Sequence, residues 1–229
     1  MVMPDAELYE RLRGVLKGDP IPLSDYPDYG GTGAPGRILE RLLGVNGGNY
    51  DTPDAGRWEI KFHSQNSLLT LFHLEAQPKG HMHYMVREFG WRDEKGRISF
   101  RHTIRGRSER GFYVSGDNSR ITVRRDSDSG IVWPYWTHDS LINAFASKFR
   151  RLIVVKGAKR DNMVNYERAY LYTEPHVTLF VKAIEEGIVA IDFDARTKDG
   201  REGLRNHGTK FRIKYNDLSH LYSQHKEFD

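Results

Sequence analysis

Apolar residues recur three and four positions apart over residues 6–17, where Leu8, Leu12, Val15 and Leu16 share one face and Gly18 follows as a C-cap, so the chain opens on an amphipathic helix. A Pro- and Gly-rich stretch over 18–35 reads as a long loop. Pro35 then opens a second helix, GRILERLL, with Ile38, Leu39, Leu42 and Leu43 on one face, Glu40 at its edge and Gly44 closing it. From Arg57 the period falls to two: Trp58, Ile60 and Phe62 alternate with Glu59, Lys61 and His63, which predicts a strand with one apolar and one polar face. SLLTLFH at 67–73 predicts a more buried strand and HMHYMVREFG at 81–90 a short helix. Alternation returns in ISFRHTI at 98–104, RITVRR at 120–125 and IVWPYW at 131–136. Asp139 then caps a helix carrying Leu141, Ile142, Phe145 and Phe149. RLIVVK, ERAYLYT, a helix near 176–186, IVAIDFD, a polar loop and TKFRIKY follow. Strands and helices interleave without a strict βαβ rhythm or an internal repeat, which predicts a mixed-sheet α/β (α+β) fold.

The 229 residues suit one large domain or two small lobes, and eleven Phe, twelve Tyr and four Trp supply a real core. No apolar run approaches the ~20 residues that cross a bilayer, and the start MVMPDAELYERLRG lacks the marks of a signal peptide. The expectation is a cytoplasmic protein with no membrane partner. The absence of Cys removes thiolate nucleophiles and Cys-bound zinc. His81 and His83 point about 200° apart on a helix, so they do not share a metal there. Neither GxxxxGK[ST] nor a GxGxxG after a strand occurs, which leaves a nucleotide-metabolising enzyme without support.

A net charge of +4 names no partner by itself. Its distribution is more telling: residues 195–214 hold seven Lys or Arg (Arg196, Lys198, Arg201, Arg205, Lys210, Arg212, Lys214) against Asp199 and Glu202, a surplus of five. A second basic group, Lys148, Arg150, Arg151, Lys156, Lys159 and Arg160, flanks a buried strand; it reads equally as solubilising ends or as phosphate contacts.

The stretch Asp54-Ala-Gly-Arg-Trp-Glu59-Ile-Lys61 carries the candidate chemistry. Glu59 and Lys61 are two apart on a strand and project from the same face, with Asp54 just before it. Two carboxylates and a backbone carbonyl are the hard oxygen ligands that Mg²⁺ prefers, and an adjacent ammonium offsets charge on a phosphorane-like transition state. On a solvent face the same residues would form only a weak surface pair.

The run GRILERLLGV, DAGRWEIKFH and SLLTLFH, with TEPHVTLFVKAIEEG and NHGTKFRI further on, resembles the MvaI/BcnI type of PD-(D/E)xK restriction endonucleases, which are related to the MutH strand-nicking repair endonuclease. In order and spacing the resemblance covers most of residues 36–220. It implies a restriction-endonuclease-like domain, with a catalytic lobe at about 36–110 and recognition elements at about 111–220 enclosing a DNA cleft. It implies Asp54 and Glu59 as metal ligands, Lys61 as the catalytic lysine and Glu40 as a supporting acid. Mg²⁺ would be the cofactor, with Mn²⁺ able to substitute. The partner would be double-stranded DNA, cut by a monomer at a CCNGG-like pseudopalindrome with S or W at the centre. A cognate methyltransferase would protect the host.

Base contacts would fall on His73 and on Arg205, His207, Lys210 and Arg212 in the basic loop, since Arg and Lys donate to guanine O6 and N7. His73 matches the family members that carry His there and would lie near the central base pair; its alternative is a strand-end His satisfied by backbone. Lys210 stands where those members have a second His. Arg101, Thr103, Arg105, Arg107 and Arg110 would either track phosphate or form a solvated sheet face. Tyr166, Tyr170 and Tyr172 read as sheet packing. The same scaffold also admits a nicking or modification-dependent endonuclease, and another class of function is a catalytically inert DNA-binding module.

Overall fold

The computed structural model describes residues 3–45, 52–64, 67–126, 130–198 and 203–229. In chain order the elements are α1 (Asp5–Lys17), β1 (Ile21–Pro22), a 3-10 turn (Leu23–Asp25), α2 (Ala34–Leu43), β2 (Glu59–Ser64), β3 (Leu68–His73), α3 (Met82–Phe89), β4 (Trp91–Arg92), β5 (Ile98–Ile104), β6 (Phe112–Gly116), β7 (Arg120–Arg125), β8 (Tyr135–Thr137), α4 (His138–Lys148), β9 (Arg151–Arg160), β10 (Met163–Pro175), α5 (Leu179–Glu185), β11 (Val189–Thr197), β12 (Leu204–Lys214), a 3-10 helix (Tyr215–His220) and β13 (Tyr222–Glu227). The expected α+β class holds.

The chain forms two compact units: Met1–Leu69 with Phe145–His176 and Leu218–Asp229, and Thr70–Ala144 with Val177–Asp217. The stretch 36–110, expected as a catalytic lobe, is shared between them. In the first unit the strand order is β1-β10-β9-β2, with β13 on β10. β2 and β9 are parallel, Glu59 opposite Leu152 and Lys61 opposite Val154. Parallel neighbours need a crossover, and here residues 70–144 of the second unit are inserted into that connection.

Trp58 and Ile60 of the β2 region pack with Leu8 and Leu12 of α1, Ile38, Leu39 and Leu43 of α2, Ile153 and Val155 of β9, and Val164 and Leu171 of β10. The N-terminal helix therefore completes this core. On the opposite face of β2 and β9, the end of α4 and the start of β13 form a second layer. Phe145 and Phe149 stack at 5.6 Å, Phe145 lies 6.2 Å from Tyr222, and the Tyr222 hydroxyl donates to the Phe149 carbonyl at 2.9 Å. The polar face of β2 is therefore closed to solvent at two positions, Glu59 and His63, which are both buried.

The second unit holds a five-stranded sheet, β3-β12-β11-β5-β4, and a three-stranded one, β6-β7-β8. Its core is aromatic, with Phe211 5.1 Å from Phe72 and 5.5 Å from Trp136, and Phe72 5.5 Å from Phe180. The expected recognition loop proves to be strand: residues from Leu204 pair antiparallel with β11, Arg205 opposite Arg196 and Lys210 opposite Asp192. Asp199, Arg201 and Glu202 lie outside the described residues. Two further boundaries differ from the sequence expectation. Pro134 has no amide N–H to give a ladder, and the predicted 131–136 strand shrinks to Tyr135–Thr137. Thr137 rather than Asp139 caps α4, its hydroxyl oxygen accepting from the Ser140 amide at 3.2 Å. Beyond β12 the chain runs through the 3-10 helix into β13.

Candidate active site

The Asp-x₄-Glu spacing is the signature of a tight turn. Ala55 and Trp58 exchange both backbone hydrogen bonds at 2.9 Å around Gly56 and Arg57. Gly56 supplies the φ of 61° that closes the turn, a conformation cheap only for glycine. The chain before the turn is thereby folded back along β2, and the Asp54 carboxylate accepts the Ile60 amide at 3.0 Å. Asp54 is brought beside Glu59 although five positions separate them.

Glu59 is fully buried, and its Oε1 lies 2.5 Å from Lys61 Nζ and 3.4 Å from Lys148 Nζ. Its Oε2 is buried without a hydrogen-bond partner among the described residues. Lys61 Nζ also sits 5.9 Å from the centre of the Phe149 ring. Burial pushes the Glu59 carboxyl up to about 7, and the Asp54 charge adds to the rise, while Lys61 and Lys148 oppose it. Glu40 projects from α2 into the same field; burial and then Asp54 raise it, and Lys61, Lys148 and Arg37 pull it down. The structure thus gathers Glu40, Asp54, Glu59 and Lys61 as the sequence reading expected, and it adds Lys148. That lysine stood in the basic group at 148–160, but singling it out needs the parallel pairing that sets the start of β9 beside Glu59.

A raised folded-state value favours the protonated acid. Glu59 therefore contributes stability below its ordinary value of 4.5 that is lost as pH rises through about 7. The expected result is a melting temperature of the metal-free protein, measured against Glu59→Gln, that falls by roughly 5 °C between pH 5 and pH 8. A constant difference between the two proteins would contradict this.

Among the described residues no three His, Cys, Asp or Glu side chains stand close enough to hold a metal ion together. Asp54 and Glu59 remain as two hard-oxygen donors, one of them with an orphaned buried oxygen, and that set fits Mg²⁺, which keeps several waters.

The expected base-contacting residues all lie in the second unit. His73 ends β3, and Arg205 and His207 are exposed on β12. Gly208 adopts φ 80° where a Cβ would stand 3.3 Å from His73, so the backbone comes close to that imidazole. Lys210 and Arg212 stand on β12 rather than in a loop, each with an acidic partner. Lys210 Nζ pairs with Asp194 at 2.8 Å and Arg212 with Asp192 at 3.1 Å, while Arg101 holds the other Asp194 oxygen at 2.8 Å and Thr103 that of Asp192 at 2.5 Å. The basic surplus of the 195–214 window is thus partly matched on one sheet face by two acids just upstream of it. Arg107 pairs with Asp126 at 2.9 Å, so part of the Arg series belongs to local ion pairs. Tyr166 packs edge-on to Phe62 at 5.6 Å and donates to the Pro35 carbonyl, in keeping with sheet packing.

Two solved structures resemble the whole chain. The restriction endonuclease MvaI in complex with its cognate DNA substrate superposes with a TM-score of 0.82 at 26% identity, over 99% of this chain and 100% of that one. MvaI in the absence of DNA matches with a TM-score of 0.57 at 25% identity, over 100% and 99%. No curated protein sequence matches the chain. Fold and site together define a restriction endonuclease, a type II site-specific deoxyribonuclease. The model of the MvaI/BcnI restriction endonuclease family matches residues 10–222, and the chain belongs to that family. No helix among the described residues is long and apolar enough to cross a membrane.

Proposed function

We propose that the protein is a Mg²⁺-dependent restriction endonuclease that cuts both strands of duplex DNA at a short pseudopalindrome of the CCNGG kind, with S or W at the centre, and that it does so as a monomer. The observation that carries this reading is the fully buried Glu59 with its unpartnered Oε2, next to Asp54 and in contact with Lys61. The likeness to MvaI, solved in complex with its cognate DNA substrate, supports duplex DNA as the substrate.

Asp54 and Glu59 hold the metal, with Mn²⁺ able to substitute, and Glu40 tunes the field around them. When bound, the ion would lower the pKa of an attacking water and offset charge on the phosphate. Lys61 supplies the positive charge that balances the extra negative charge of the transition state. The first unit carries cleavage. The second carries base reading through His73, Arg205, His207, Lys210 and Arg212. The enzyme works in the cytoplasm, where a methyltransferase of matching specificity protects host DNA.

Mg²⁺ binds the ionised carboxylate, so protons compete with it. The half-saturating Mg²⁺ concentration is expected to fall about tenfold per pH unit up to roughly pH 7 and to level off above it. Titrating cleavage with Mg²⁺ from pH 5.5 to 8.5 tests this; a pH-independent requirement would remove Glu59 from the metal site. A monomer cuts one strand and then the other, so a supercoiled plasmid is expected to pass through a nicked circle to linear DNA. Nicked circles as the end product would favour the nicking enzyme instead.

A further inference from the structure

We propose that Lys148 is a positioning residue of the active site, which anchors Glu59 by Oε1 so that the carboxylate keeps its place when Lys61 turns to the scissile phosphate. This rests on the reading of the site as an endonuclease centre. Two ammonium groups address the same buried oxygen, Lys61 at 2.5 Å and Lys148 at 3.4 Å. A carboxylate with one bridging lysine would lose its only counter-charge whenever that lysine moved, at a cost of several kcal/mol for a fully buried ion. A second lysine removes that conflict.

The two lysines are not equivalent. Lys148 is the more enclosed, with a side chain 13% exposed against 23% for Lys61. It occupies the last turn of α4, where a cation is favoured by the helix dipole. The residue after it is locked: Phe149 is fully buried, its amide donates to the Phe145 carbonyl at 2.8 Å, and its own carbonyl accepts the Tyr222 hydroxyl. β9 starts two residues later, parallel to β2 and with Leu152 opposite Glu59. Lys148 thus stands on a fixed backbone, whereas Lys61 projects from β2 with greater exposure and more freedom to reach substrate. The charge of Lys148 is also felt by Glu40, the other half-buried acid of the site.

The test compares the parent with Lys148→Met and Lys148→Arg in single-turnover cleavage, DNA binding without divalent metal and thermal melting, with Glu59→Gln added for a thermal cycle. Lys148→Met is expected to slow cleavage about 10- to 100-fold, as misplacement of a catalytic group does, with DNA affinity changed less than about threefold. Lys148→Arg is expected to recover most of the rate. In melts, Lys148→Met destabilises the parent but not Glu59→Gln, because only the ionised carboxylate needs the anchor; this readout is independent of metal and activity. Cleavage by Lys148→Met at the parental rate, or equal destabilisation in both backgrounds, overturns the proposal. The parent's own ability to cut DNA in the same assay decides the endonuclease reading separately.

Discussion

Lys61→Ala is expected to slow DNA cleavage by about 10³-fold while leaving the protein folded and able to bind duplex DNA. A large effect is expected because, on the proposed reading, the ammonium would act where negative charge grows in the transition state, beside the buried Glu59 and the Phe149 ring. Folding survives because Glu59 keeps Lys148 at 3.4 Å and, with its carboxyl pushed up to about 7, can take up a proton in place of the lost partner. Single-turnover cleavage, circular dichroism and a binding titration on the same preparation separate the two effects. A variant that cuts within tenfold of the parent would take Lys61 out of catalysis.

The largest expected loss of stability comes from the second unit. Phe211 is fully buried between Phe72, Trp136 and Phe180, with ring centres 5.1 to 6.4 Å away. Phe211→Ala leaves a cavity among side chains that are themselves rigid, and is expected to cost about 3–5 kcal/mol and to lower the melting temperature by roughly 10 °C. Its neighbours Lys210 and Arg212 point to the other face of the same strand. The substitution should therefore also loosen the strand that carries them, read as weaker sequence discrimination at temperatures where the fold persists. A melting temperature within about 2 °C of the parent would show that this aromatic cluster collapses to fill the space.

Much of this was legible in the chain because local rules dominate there. The helix at Ala34–Leu43, the alternation from Trp58 to His63 and the Asp-x₄-Glu-x-Lys spacing each follow from a period or a turn. What stayed hidden depends on contacts distant in sequence. Alternation placed Glu59 on the polar face of its strand but did not show it buried, because the layer that covers it comes from Phe145, Phe149 and Tyr222, more than eighty positions away. In the sequence Lys148 is one of six cations spread over residues 148–160, and only the pairing of β9 with β2 singles it out. Lys210 and Arg212 read as a basic loop, since a charge window does not show that Asp192 and Asp194 lie one strand over. Pro134 shows the converse: the apolar pattern of 131–136 suggested a strand, and a missing N–H shortened it.

The central claim is that Asp54, Glu59 and Lys61 form a metal-dependent centre for site-specific cleavage of duplex DNA. The most direct measurement is digestion of unmodified phage DNA of known sequence, with and without Mg²⁺, followed by mapping of the fragment ends. Discrete fragments that appear only with Mg²⁺ and share one short pseudopalindromic sequence at their ends are the predicted result. DNA left intact with Mg²⁺ and with Mn²⁺, or ends scattered without a common sequence, would contradict it.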